Sequence, residues 1–197
     1  MDMTGWIPLV LLVAVLWWAI KVYNRLVQLR NRISNAFGQI DVQLKRRHDL
    51  VPNLVEVARG YLKHEAATLE AVIQARGQAQ GAAQTARKQP TDAAAIGALA
   101  VAEGALGASL GRLMVVAENY PELKADATMA ALSEELTSTE NRIGFARQAY
   151  NDQALDFNNA ATQFPALLVA RLTGFTPAAM LQSTQSEAER QAPRVQF

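Results

Sequence analysis

His48 and His64 are the only imidazoles in the chain, and there is no cysteine. Metal or acid–base chemistry would have to be built from them. They are 16 residues apart, about 160° around a continuous helix, so they do not converge. His64 and Glu65 are adjacent and face different ways, whereas a di-metal site in a helical bundle needs repeated Glu-x-x-His. Glu134, Glu135 and Glu140 have no histidine at helical spacing. Without cysteine there is no disulfide framework, no thiolate zinc site and no thiol nucleophile. The chain contains no phosphate loop, no Gly-x-Gly-x-x-Gly and no His-Glu-x-x-His. The expectation is a protein that is not an enzyme, with no cofactor, no metal and no small-molecule substrate.

Lys45, Arg46, Arg47 and His48 form the densest basic cluster. It has no interleaved aromatics, so no nucleic-acid partner is expected. A charge run is ordinarily a solvated face. The alternative is a corner shown to a protein partner, together with a second exposed turn carrying Tyr120, Glu122 and Lys124. The formal net charge of +1 conceals an asymmetry. Residues 21–50 hold seven Lys/Arg against two Asp, and residues 51–197 hold twelve against fifteen Asp/Glu.

The elements that must position these residues begin with a membrane segment. Trp6 to Ile20 carries no charge, and the run to Tyr23 meets only Lys21. Eighteen residues from Trp6 to Tyr23 span about 27 Å, close to a hydrocarbon core of about 30 Å. Trp6 at one end, and Trp17, Trp18, Lys21 and Tyr23 at the other, suit the two interfaces. A cleaved signal peptide would want a positive start and a small-residue cleavage site, and this segment has neither. Residues 1–23 are therefore expected to be an uncleaved anchor. Lys21, Arg25, Arg30 and Arg32 follow the span, which places the N-terminus outside and the rest in the cytoplasm. The partner implied is membrane lipid.

Residues 24–175 read as four helices. Leu26, Leu29, Ile33, Phe37, Ile40 and Leu44 make one apolar stripe on the first. The second is expected to start at Asp49, with Pro52 in its first turn. Gln89-Pro90-Thr91-Asp92 marks the next turn, with Thr91 or Asp92 as cap. The third helix turns Ile96, Leu99, Leu106, Leu110, Leu113 and Met114 inward and ends at Asn119-Tyr120-Pro121. The fourth starts near Ala127, with Met129, Leu136, Ile143, Tyr150, Phe157 and Phe164 recurring every seven residues, a coiled-coil-like seam. Pro165 interrupts it, and Ala166 to Leu172 is expected to form a short helix ending at Gly174. Residues 176–197 are polar and expected to be a poorly ordered tail. The expected fold is all-α: one transmembrane helix, then an antiparallel up-and-down four-helix bundle.

Two further patterns stay open between a bland and a sharp reading. Gln28, Asn31, Asn35, Gln39 and Gln43 form an amide stripe opposite the apolar one. It is either a wet surface or a self-association face, since amides can bond across packed helices without desolvating charge. Gly97, Gly104 and Gly111 recur every seven residues, marking either a close-packed seam or drift in an Ala/Gly-rich helix.

The run Gln39-Ile40-Asp41-Val42-Gln43-Leu44-Lys45-Arg46-Arg47-His48-Asp49-Leu50-Val51-Pro52-Asn53-Leu54 resembles the bacterial LemA family. So do Glu118-Asn119-Tyr120-Pro121-Glu122-Leu123-Lys124, Glu140-Asn141-Arg142-Ile143, Tyr150-Asn151 and the closing Pro193-Arg194-Val195-Gln196-Phe197. Gly38 departs from the family pattern. The resemblance implies one membrane helix in the bacterial inner membrane, a cytoplasmic helical bundle and no known catalytic residues. It suggests a scaffold that organises membrane or an adaptor for a membrane partner such as a metalloprotease; the amide stripe and the glycine seam point to a homo-oligomer, and the basic half to a lipid-binding, membrane-remodelling alternative.

Overall fold

The fold is that of a computed structural model, which describes residues 6–181. It is all-helical: α1 (Trp6–Tyr61), α2 (Ala66–Lys88), α3 (Ala93–Ala117), the single turn α4 (Pro121–Lys124), α5 (Ala127–Thr162) and the short α6 (Ala166–Leu172). No strand occurs among the described residues.

The largest departure from expectation is α1. The second helix does not start at Asp49; one helix of 56 residues runs straight through Asp49 and Pro52 to Tyr61. At about 1.5 Å per residue it is about 84 Å long. Proline inside a helix removes one N–H and leaves the carbonyl four residues back without its donor. For Pro52 that carbonyl belongs to His48, and Arg76 on α2 supplies the missing donor through Nε at 2.6 Å. The turn falls instead at Leu62–Glu65, where the Glu65 amide bonds to the Leu62 carbonyl at 3.1 Å.

The later boundaries follow the capping chemistry. Asp92 caps α3 through the Ala95 amide at 2.8 Å, and Asp126 caps α5 through the Met129 amide at 2.9 Å. The Met129 amide, and then the Tyr61 hydroxyl, hold the Asp126 carboxyl below its usual value. The heptad positions Met129, Leu136, Ile143, Tyr150 and Phe157 are all buried. Phe164 is exposed, because α5 ends at Thr162, before the next heptad position. α6 and the positive φ of Gly174 lie where the punctuation placed them.

Contacts along α1 set the arrangement. On α2, Arg76 meets the His48 carbonyl and Arg87 meets Asp41 at 2.8 Å. On α5, Glu140 meets Arg47 and Tyr150 meets Phe37, and its cap Asp126 meets Tyr61. The core divides into two apolar clusters. One, nearer the N-terminal segment, is built on Leu26 to Leu44 of α1, Ile96 and Leu99 of α3, and Ile143 to Ala161 of α5. The other, farther out, holds Val51 to Ala58 of α1, Leu62 in the turn after it, Leu69 to Ala79 of α2, Leu106 to Ala117 of α3, and Met129 and Leu136 of α5.

Residues Thr176 to Leu181, expected to belong to a poorly ordered tail, are packed. Ala178 and Leu181 are buried. Two asparagines of α5 grip this strap. Asn158 donates to the Ala178 carbonyl at 2.9 Å and accepts from its amide at 2.7 Å. Asn151 does the same for Leu181, at 2.8 and 2.9 Å. The spacings agree: seven residues of helix rise about 10 Å, and three residues of extended chain cover about 10 Å. The rest of the expected tail, 182–197, lies outside the described residues, as do 1–5.

Candidate functional site

Between the two apolar clusters lies a polar layer to which all four long helices contribute. Arg47 and His48 come from α1, Glu103 from α3, Glu140 from α5, and Arg76 from α2. Arg47 Nη1 lies 3.1 Å from Glu103 Oε2 and 3.1 Å from Glu140 Oε2. His48 Nε2 lies 2.7 Å from Glu103 Oε1. Both Glu103 oxygens are occupied, one by each basic partner.

Burial makes this layer energetically sharp. Arg47 is 6% exposed, His48 3% and Glu103 3%. The two basic residues are thus not part of a presented corner, as the charge run suggested. They point into the protein because their partner is there. Gly107 stands one turn beyond Glu103, where a Cβ would come within 3.4 Å of Arg47 Nη2. Breaking such a group by removing one partner costs about 3–5 kcal/mol, because a charge stays buried unpaired. Swapping the whole group for apolar side chains is often neutral. A layer of this kind is therefore weak evidence for stability.

Grooves open on either side of the layer. One, with a volume of about 460 Å³, is lined by Ile40, Leu44, Leu99, Glu103, Arg147 and Leu181, among others. Another, of about 220 Å³, is lined by Arg47, Leu110, Met114, Ser133, Leu136 and Glu140, among others.

The remaining positions singled out in the sequence are dispersed. Lys45 is exposed and pairs with Asp49 at 2.6 Å, which holds the Asp49 carboxyl below its usual value. Arg46 reaches Glu135, with Nε 2.9 Å from Oε1. Tyr120 is half-buried, and Glu122 and Lys124 are exposed on α4. His64 is exposed in the α1–α2 turn, far along the chain from His48. Among the described residues no three His, Asp or Glu side chains gather as a metal site. Gln28, Asn31, Asn35 and Gln39 are exposed. Gln43, at the end of their stripe, has a buried Oε1 with no hydrogen-bond partner in the described structure. Gly97 and Gly111 border open space, so no helix among the described residues fills the glycine seam there.

At the N-terminal end Trp6 and Trp17 are exposed and Trp18 is half-buried. Lys21 Nζ sits 4.0 Å from the Trp17 ring centroid, and the Tyr23 and Phe175 rings are 5.8 Å apart. An 18-residue window of α1 has mean hydropathy 2.0 and none of it is buried; α3 also has the length and apolarity to cross a membrane, but a third of its window is covered.

Two functional groups escaped the reading of the sequence. Glu103 is the only charged residue between Asp92 and Arg112, and a lone charge inside an apolar helix signals a buried partner. Arg76 could have been found by asking which side chain serves the carbonyl that Pro52 strands.

The LemA family profile matches residues 36–197. Magnetosome protein MamQ of Magnetospirillum gryphiswaldense is 29% identical over 179 residues, covering 83% of this chain and 66% of that protein. Magnetosome protein MamQ 2 of Paramagnetospirillum magneticum is 30% identical over 175 residues, covering 81% and 64%. Protein LemA of Metamycoplasma hominis is 25% identical over 164 residues, covering 83% and 70%. The chain thus spans just under two thirds of the length of these two magnetosome relatives.

Proposed function

This chain belongs to the LemA family, and from that premise we propose that it is a single-pass membrane-anchored scaffold, not an enzyme, that associates with copies of itself. Its four long helices form an up-and-down bundle on the cytoplasmic side of a bacterial inner membrane, with the N-terminus outside. The observation that carries this reading is the two-part surface of α1. Trp6 to Trp17 are bare and apolar, and farther along the same helix Gln28, Asn31, Asn35 and Gln39 form an uncharged polar stripe that is exposed among the described residues. The magnetosome names of two relatives accord with a role at a membrane. The polar layer supports a structural rather than catalytic assignment, since its acidic and basic atoms are engaged with one another.

The test is native mass spectrometry of the full chain in mild detergent. The parent is expected as an oligomer and the Asn35→Lys, Gln39→Lys double variant as a monomer of unchanged helicity. A parent that is strictly monomeric, or an oligomer indifferent to both lysines, sinks the self-association reading.

An adaptor role has one observation in its favour. α4 shows Glu122 and Lys124 at the end of the molecule where Tyr61 meets Asp126, opposite the apolar segment. With Arg47 and His48 buried, the surface open to a membrane-protein partner reduces to Lys45, Arg46 and this turn.

A further inference from the structure

Along α1, Trp6 to Trp17 stand clear of the other described residues, and cover begins at Trp18. What covers it is the corner between α5 and α6. Trp18, Val22 and Arg25 line one pocket together with Gln163, Phe164 and Pro165. The ring of Phe175, just past α6, meets Tyr23. The α5–α6 corner therefore sits at the level of the last turns of the apolar segment.

α6 is two-sided at that level. Val169 and Ala170 are buried against the core. On another side Leu168 is 52% and Leu172 88% exposed, one helical turn apart, and Phe164 before them is 81% exposed. Arg171 is exposed beside them, with Lys21 and Arg25 on α1 at the same level. Large apolar side chains in water are unremarkable when scattered. Three within nine residues, beside a segment built for lipid and ringed by cations, are a different matter.

Depth gives the occupant. If α1 leaves the hydrocarbon near Tyr23, then Trp18 lies five residues, or about 7–8 Å, below that exit. Interfacial helices lie about 5–10 Å into the boundary between headgroups and acyl chains, apolar face down, with basic residues held toward phosphate. We propose that α6 and the Phe164 corner are a second membrane contact, lying in the interface of the bilayer that α1 crosses, with Phe164, Leu168 and Leu172 against lipid. The proposal rests on reading the start of α1 as a membrane span. It fixes the protein at two points, so the bundle cannot rotate freely about its anchor.

The chain has no cysteine, so single sites can be labelled. Full-length Val15→Cys, Phe145→Cys, Leu168→Cys and Leu172→Cys would each carry a small environment-sensitive fluorophore, in vesicles of phosphatidylcholine and phosphatidylglycerol. Labels at 15, 168 and 172 are expected to lose about half or more of their emission to spin-labelled lipid. The label at 145, exposed but about 28 Å along α5 from the corner, should respond to aqueous iodide instead. Labels at 168 and 172 behaving like 145, with 15 in lipid, overturn the proposal and spare the anchor. Labels at 168 and 172 shielded from both quenchers also overturn it, in favour of a protein covering the face. Failure of lipid to quench 15 removes the anchor reading and the proposal with it.

Discussion

Arg76 Nε donates to the backbone carbonyl of His48 at 2.6 Å, the position an amide hydrogen at residue 52 would occupy if that residue were not proline. A side chain on α2 thereby repairs the ladder of α1. The same contact ties α2 to the level of the polar layer.

Arg76→Ala is expected to destabilise the folded chain by about 1–3 kcal/mol, because a carbonyl loses its donor. In a Pro52→Ala background the ladder has its own amide, and the cost should largely vanish. A double-mutant cycle followed by denaturant unfolding in detergent measures the coupling. Equal costs in both backgrounds would show that Arg76 acts through something else.

Glu103→Leu should cost about 3–5 kcal/mol, leaving Arg47 and His48 buried without their carboxylate. Adding Arg47→Met and His48→Leu should recover most of the loss. If the layer sets register, the triple variant will be stable yet less uniform, with broader amide resonances in its NMR spectrum. A sharp spectrum from a fully stable triple variant would remove the register role.

The Tyr150 hydroxyl lies 2.8 Å from the carbonyls of both Pro90 and Ala179, joining α5, the α2–α3 turn and the strap. Burial raises its pKa from 10.0 to about 12. The folded state therefore holds this proton more tightly than the unfolded state. The contribution is complete below about pH 10 and is lost as pH rises toward 12. Tyr150→Phe should lower stability by about 1–3 kcal/mol at neutral pH. It should also flatten the alkaline slope over that window. An unchanged slope would locate the alkaline loss elsewhere.

Asn151→Ala with Asn158→Ala removes both grips on the strap. Limited proteolysis is expected to cut between Thr176 and Leu181 much sooner than in the parent, while the helical circular-dichroism signal persists. Cleavage at the parent rate would mean that Ala178 and Leu181 hold the segment by packing alone.

These contacts also mark where the sequence was readable. The apolar rows of α1 and the heptads of α5 follow local periodicity, so Leu26 to Leu44 and Met129 to Phe157 could be placed inside from spacing alone. Asp92 and Asp126 announce their helices by cap chemistry. The false boundary at Asp49 arose because a proline after a good cap is the ordinary sign of a helix start, and the residue that cancels it lies 24 positions further on, at Arg76. Arg47 and His48 looked solvated for a similar reason, since Glu103 is 55 or more residues away. The strap looked unstructured because the side chains that contact it, Asn151, Asn158 and Tyr150 of α5, lie 20 or more residues away.

The unbroken length of α1 makes it a lever. Thirty-eight residues separate Tyr23 from Tyr61, about 57 Å of helix. If the bundle follows its helix, a 10° tilt adopted to match a thinner bilayer would carry Tyr61 sideways by about 10 Å. Bilayer thickness would then be converted into displacement at the far tip, where α4 shows its charged turn. A hinge at Asp49 would absorb that motion; a helix mended at Pro52 by Arg76 would transmit it.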